Sequence, residues 1–266
     1  MEYQTIFQQL WQDYRAVNPS VDRIHQLLEL QGNQVLNDHI AFRTCNLSGI
    51  DIEVLAKPFL ALGYKAKGNY FFEEKRLKAT HYEHESDEKA PKVFISELIT
   101  EDFSPLVRET ALWIAKQVRK QQLEANDLLF SKRCWNPINY ASYEALRKES
   151  EYAAWFYVYG FRANHFTVSV NHLQSISSLE EMNEFLKNNG FNLNVSGGEI
   201  KGTREELLKQ SSTLADKLRI DFEDGSYEIP CCYYEFAERF KDANGKIFNG
   251  FIAKSADKIF ESTNKK

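Results

Sequence analysis

Three separate segments of this sequence each offer one side chain that can bind a metal, on the side away from an apolar packing face. His39 and Arg43 stand four residues apart in Asp38-His39-Ile40-Ala41-Phe42-Arg43-Thr44. In a β-strand, side chains alternate between faces. Both therefore point one way with Ala41 between them, and Ile40 and Phe42 point the other way. In residues 164–171, His165, Thr167, Ser169 and Asn171 share one face, and Phe166, Val168 and Val170 share the opposite one. Glu235 falls with Tyr233 and Ala237, against Tyr234 and Phe236. Two imidazoles and one carboxylate make the facial triad of non-haem iron(II) sites, which leaves coordination positions open for other ligands. The same donors also suit Zn2+, Mn2+ or Ni2+, so spacing alone leaves the metal open. A lone strand histidine is more often a satisfied or exposed structural residue than a ligand.

Other candidates surround these three. Arg43 beside a metal makes a carboxylate receptor, because its guanidinium forms a two-pronged bond and stays charged. The competing reading is a structural salt bridge. Glu97 in Phe94-Ile95-Ser96-Glu97 is a candidate fourth ligand, but it shares a face with Val93 and Ile95, which argues for a buried, paired carboxylate. His81 and His84 lie next to a charged stretch and face opposite sides of a strand, so they cannot chelate together; a solvated hairpin is the expectation. His25 and His172 read as structural. Gln210-Ser211-Ser212-Thr213 either lines a cavity or forms a turn. Tyr157, Arg162 and Asn164 lie close to His165 in sequence and are candidates to surround it. The vicinal Cys231-Cys232 lacks a positioned base and is not a nucleophile signature. Gly197-Gly198 has no phosphate-loop pattern.

Strands and helices must position these groups. Periodicity and punctuation predict helices over 3–16 and 21–31, separated by Asn18-Pro19-Ser20. A strand over 38–44 is followed by a helix over 50–61 ending before Gly63, and then by strands near 69–73, 78–84 and 91–98. Ser104-Pro105 starts a helix to about 122, and 105–160 reads as mostly helical. A strand over 164–171 precedes a helix that starts in the capping box Ser178-Leu179-Glu180-Glu181 and ends before Gly190. A second capping box at Thr203–Glu206 predicts a helix to about 209. Strands are expected near 214–223, 229–238 and 247–253, with Thr263–Lys266 frayed.

These elements repeat. Asp38-His39-Ile40-Ala41-Phe42 resembles Asn164-His165-Phe166-Thr167-Val168. Each histidine strand precedes a helix ending in Leu62-Gly63-Tyr64 or Asn189-Gly190-Phe191, with 24 and 25 residues from histidine to glycine. Strands carrying Glu97 and Glu235 follow. Two copies of one β-α-β-β-β unit, completing a curved sheet around a cavity, account for the pattern. The fold class expected is α+β. The chain divides as a single domain, 1–266: N-terminal helices (1–36), a first unit (37–100), a helical insertion (101–160), a second unit (161–255) and a tail (256–266).

Composition narrows the function. The 266 residues are 43% hydrophobic and 14% aromatic, enough for a core and too aromatic for disorder. The net charge of −5 argues against nucleic-acid binding, which draws on a basic excess. No apolar run reaches a membrane span, and the first residues lack the basic start of a signal peptide. Cys45, Cys134, Cys231 and Cys232 show neither a CxxC motif nor a disulfide framework, which reads as reduced thiols in the cytoplasm.

The motifs DHIAFRT, KVFISEL, YGFRANHFTV, QSSTLAD and YYEFAER, in that order over roughly residues 30–255, resemble the 2-oxoadipate dioxygenase/decarboxylase family. Its fold is similar to the vicinal oxygen chelate proteins, built from paired β-α-β-β-β units. The resemblance implies an Fe(II) centre held by His39, His165 and Glu235, with Arg43 binding substrate. It also implies a reaction in which a 2-oxo acid chelates iron, O2 is consumed and CO2 leaves, converting 2-oxoadipate to 2-hydroxyglutarate without a separate 2-oxoglutarate. The chain is shorter than the lysine-catabolic members of the family, which bears on the choice of 2-oxo acid. Rival readings on the same scaffold are a Zn2+- or Ni2+-dependent hydrolase or isomerase using a bound water, and a non-catalytic module that binds a small acid.

Overall fold

The computed structural model describes residues 2–263, with all side chains in that range except those of residues 256, 257 and 260. Two helices, α1 (Tyr3–Ala16) and α2 (Pro19–Leu30), lead into β1 (Asn37–Cys45). Then come α3 (Ile52–Leu60), β2 (Tyr64–Phe72), β3 (Leu77–His84) and β4 (Lys92–Leu98). Four helices follow: α4 (Pro105–Gln121), α5 (Ala125–Phe130), α6 (Tyr140–Glu149) and α7 (Glu151–Tyr159). The second half runs β5 (Ala163–Ser169), α8 (Leu179–Asn188), β6 (Leu208–Ser212), β7 (Lys217–Phe222), β8 (Gly225–Pro230), β9 (Glu235–Arg239) and α9 (Ala253–Phe260).

Seven strands form one mixed sheet in the order β2-β3-β4-β1-β5-β9-β6, and β7-β8 make a separate hairpin. The sheet bears out the repeat. β1 pairs parallel with β4, as β5 does with β9, and the two histidine strands meet antiparallel at the centre. The first unit is a complete β-α-β-β-β. In the second, the counterpart of β2 is reduced to an isolated bridge between Leu193 and Thr213. The architecture is α+β with a curled half-barrel sheet.

Apolar burial fixes which face is which. Ile40, Phe42, Phe166, Val168 and Phe236 are buried beneath helices. Phe166 meets Trp11 and Tyr14 of α1 at ring distances of 5.0 and 4.9 Å, and Phe42 meets Phe59 of α3 at 5.7 Å. The other face is left for His39, Arg43, His165 and Glu235. Among the described residues, no helix is long and apolar enough to cross a membrane.

Four local expectations fail. Thr203 does cap the amide of Glu206 at 3.2 Å, but no helix follows. Lys201 and Gln210 bridge antiparallel, so 202–209 must reverse direction; Leu207 adopts φ of 63°, and β6 starts at Leu208. A Cβ on Gly202 would lie 2.2 Å from the Leu208 carbonyl oxygen, so the turn demands glycine there. Second, the expected strand over 229–238 is two strands, because β8 ends at Pro230 and β9 begins at Glu235. Third, residues 247–253 form no strand: Ile247 makes one isolated bridge to Lys241, and Ala253 opens α9. Fourth, Thr263, expected in the frayed end, is buried, and residues 264–266 lie outside the described residues.

Candidate metal centre

The register of the three central strands brings the candidate ligands together. His39 sits opposite Thr167, and Thr167 opposite Glu235, so these three form a row across β1, β5 and β9. His165 is opposite Ala41, one diagonal step from His39. One donor atom from each of His39, His165 and Glu235 lies within 4.8 Å of the others, and all three residues are buried. The His39 and His165 rings stand nearly perpendicular, with centroids 5.5 Å apart.

Neighbouring groups orient each donor. His39 Nδ1 is 2.8 Å from Asp38 Oδ1, which leaves Nε2 to face Glu235 Oε1 at 3.4 Å and the Thr167 hydroxyl at 3.1 Å. Asp38 is in turn held by Arg239, whose Nε and Nη2 donate to its two oxygens at 2.6 and 2.9 Å. His165 Nδ1 is 3.1 Å from Asn164 Oδ1, leaving Nε2 toward Glu235 Oε2 at 3.2 Å. Gln210 Nε2 donates to Glu235 Oε1 at 2.6 Å. A carboxylate or carbonyl behind each imidazole is the usual way to set the tautomer and ring plane of a metal-binding histidine.

The electrostatics fit a cation. Burial holds His39 below its ordinary pKa despite Asp38, and holds His165 well below, with His39 and Arg43 adding to the effect. Both imidazoles are thus neutral and keep a lone pair. Burial pushes the Glu235 carboxyl up to about 8. Its Oε2 is buried with no hydrogen-bond partner. Acceptor atoms that converge in a buried space are costly unless a proton or a cation lies between them. A divalent cation satisfies all of them, so the residues fit a metal.

Arg43 lies on the same face, buried, with its guanidinium over the rings of Tyr152 at 4.9 Å and Trp155 at 5.0 Å. Both rings are fixed. Tyr152 Oη donates to the Ser96 carbonyl at 2.7 Å, and Trp155 Nε1 donates to the Cys231 carbonyl at 2.5 Å. Arg43 also borders a cavity of about 330 Å³ that reaches Arg147 and Ser150. The side chain is therefore an aromatic-bracketed cation within electrostatic reach of His165.

The remaining candidates separate. Glu97 is on the α3 side, accepting from the Ile52 amide at 2.9 Å and pairing with Lys78 at 3.1 Å. It stands outside the cluster. His81 is buried rather than solvated as expected, because it packs under Phe251; its nitrogens meet Tyr70 Oη at 2.9 Å and Glu83 Oε1 at 3.0 Å. Of the segment 210–213, Gln210 faces Glu235, whereas Ser211 and Ser212 bond Asn183 and Ser262 at 2.7 Å each. Asn164 backs His165, but Arg162 pairs with Asp13 at 2.6 Å and Tyr157 accepts from the Asn139 amide at 3.0 Å. Asn171 leaves the His165 face, because the strand gives way to a short 3-10 turn at Val170. Sequence reasoning missed Asp38, Arg239 and Phe251, and also Tyr152 and Trp155 beside Arg43. Asp38 directly precedes His39, and that adjacency was the available signal; Arg239 and Phe251 are distant from both histidines and left none.

Comparison with known proteins identifies the family and the fold. A profile of the family described as 2-oxoadipate dioxygenase/decarboxylase matches residues 2–246. The chain is 35% identical over 285 residues to an Oryza sativa subsp. japonica protein of that name, described as chloroplastic/amyloplastic; the match covers 98% of this chain and 78% of the relative. A crystal structure of hydroxyglutarate synthase from Oryza sativa, in complex with 2-oxoadipate, superposes with a TM-score of 0.91 at 31% identity, covering 98% of this chain and 91% of that one. A Shewanella frigidimarina protein with a provisional hydrolase designation superposes with a TM-score of 0.87 at 48% identity, covering 94% and 97%. A Ralstonia eutropha glyoxalase-superfamily protein shares the fold, with a TM-score of 0.73 at 21% identity over 91% of this chain and 83% of that one. By motif order, fold and family match, the chain belongs to the 2-oxoadipate dioxygenase/decarboxylase family.

Proposed function

We propose that this chain is an Fe(II)-dependent oxygenase in which His39, His165 and Glu235 are the metal ligands. In the reaction, 2-oxoadipate and O2 give 2-hydroxyglutarate and CO2, a conversion that belongs to lysine breakdown. The observation that carries the reading is the convergence of two neutral imidazoles and an orphaned carboxylate oxygen on the face that also bears Arg43. Family membership supplies the substrate class.

When bound, iron(II) supplies open coordination positions where the 2-oxo acid and O2 meet. The protein does the rest. Arg43 holds a substrate carboxylate through a two-pronged bond, and Tyr152 and Trp155 keep its guanidinium in place, so the acid is oriented before reaction. Asp38, Asn164 and Gln210 hold the three ligands in one arrangement. The burial of all three ligands excludes bulk water. The four cysteines form no disulfide among the described residues, in keeping with a cytoplasmic enzyme.

One observation favours a second reading, a Zn2+- or Ni2+-dependent hydrolase: the hydrolase designation of the Shewanella protein. Metal dependence separates the two. Metal-free protein reconstituted anaerobically with Fe(II), Zn2+ or Ni2+ is exposed to air with 2-oxoadipate, and the products are identified by mass spectrometry. The proposal expects 2-hydroxyglutarate with Fe(II) only. Equal turnover with Zn2+, or none with bound iron, contradicts it.

A further inference from the structure

Arg239 has more partners than an ion pair needs. Two of its N–H groups hold Asp38, and Asp38 holds His39. Nη1 donates to two backbone carbonyls, Phe248 at 2.9 Å and Gly250 at 2.8 Å. The backbone of Arg239 is pinned as well: its amide donates to Asn171 Oδ1 at 2.8 Å, and its carbonyl accepts from Asn171 Nδ2 at 2.9 Å.

The segment 248–251 crosses from the end of β9 to the β2-β3 hairpin. Asn249 Nδ2 donates to Glu83 Oε2 at 3.1 Å, and the Phe251 amide donates to Tyr70 Oη at 3.1 Å. A Cβ on Gly250 would lie 2.6 Å from the Phe248 ring, so a side chain there would push that ring aside. The strap delivers Phe251 edge-on against His39, with centroids 4.8 Å apart, and against His81 and Phe94 at 5.3 and 4.9 Å. The Arg239 guanidinium lies 5.1 Å above the same ring. His39 is therefore fixed from two sides, by Asp38 at Nδ1 and by Phe251 against its ring, and Arg239 bonds both fixtures.

We propose that Arg239 is a positioning residue for the metal centre: it locks the orientation of His39 by clamping Asp38 and the 248–251 strap together. A planar fork with five donors can serve a carboxylate and two carbonyls at once; a lysine ammonium cannot. This inference rests on His39 being a metal ligand and reaches beyond that assignment.

The test uses Co(II) as the metal, titrated anaerobically into the metal-free full chain and followed by visible absorption, with hydrogen exchange of 248–251 measured in parallel. Arg239→Lys is expected to weaken Co(II) binding 10- to 100-fold, the range found when groups behind a ligand are removed. It also alters the absorption spectrum and speeds exchange in the strap. Asp38→Asn gives a comparable loss of affinity. The double variant is no weaker than the weaker single variant, because both act through His39. A merely structural Arg239 loosens the strap while Co(II) affinity and spectrum stay at wild type, and that result overturns the proposal. Should Arg239→Lys not fold, Asp38→Asn decides: unchanged Co(II) affinity there also overturns it. Wild-type protein that binds no Co(II) refutes the metal assignment instead, so the two failures are distinct.

Discussion

At the scale of single residues, each side chain of the proposed centre has a separable role. His39→Ala, His165→Ala and Glu235→Ala each remove one donor from a cluster that has three, so each is expected to lose iron and activity together. Iron analysis after gel filtration checks this, and full loading in any variant rules out that ligand. Arg43→Lys keeps the charge but loses the fork, so iron content stays at wild type while KM rises about tenfold or more. Unchanged KM contradicts the assigned role. The raised Glu235 pKa has a consequence for metal binding. At pH 7 the metal-free carboxyl, with a pKa of about 8, is mostly protonated. The histidines, held below their ordinary values, carry no such proton. Metal binding therefore releases close to one proton at pH 7. Affinity climbs as pH rises toward 8 and levels off above it. Calorimetry in buffers of different ionisation enthalpy measures the release; none at pH 7 refutes the Glu235 assignment.

At the scale of elements, strand alternation carries the design: one face of β1, β5 and β9 packs helices while the other presents donors. Phe166 is the packing counterpart of His165, fully buried against Trp11 and Tyr14. Phe166→Ala is expected to cost about 3–5 kcal/mol by the usual penalty for emptying an aromatic core position, read as a lower denaturant midpoint. A loss below about 1 kcal/mol means α1 does not anchor the strand. The ligand-bearing face was legible in sequence because period-two alternation survives around His39, His165 and Glu235. The repeat was legible because glycine ends α3 and α8 at matching distances from the histidines. What was not legible depends on long-range contacts. A capping box at Thr203 reads as a helix locally, yet the Lys201–Gln210 bridge turns it into a reversal. His81 looked solvated because its cover, Phe251, lies 170 residues away in the chain. Arg239 left no signal within YYEFAER, since its partners come from β1 and the strap.

At the scale of the whole molecule, two related units meet at β1 and β5 and share one candidate centre, so a metal held there would tie both halves together. Ligand linkage then predicts that metal at 100 times its Kd stabilises the fold by about 2.7 kcal/mol, several degrees in Tm for a chain of this size. A chelator reverses this, and a Tm indifferent to chelation means no tight site spans the two units. The central claim concerns what the assembled centre does. The most direct measurement is the stoichiometry of oxygen uptake, CO2 release and 2-hydroxyglutarate formation by anaerobically purified, Fe(II)-loaded protein given 2-oxoadipate. All three are expected in a one-to-one-to-one ratio, abolished by Glu235→Ala. Bound iron with no oxygen uptake, or product formed without it, contradicts the account.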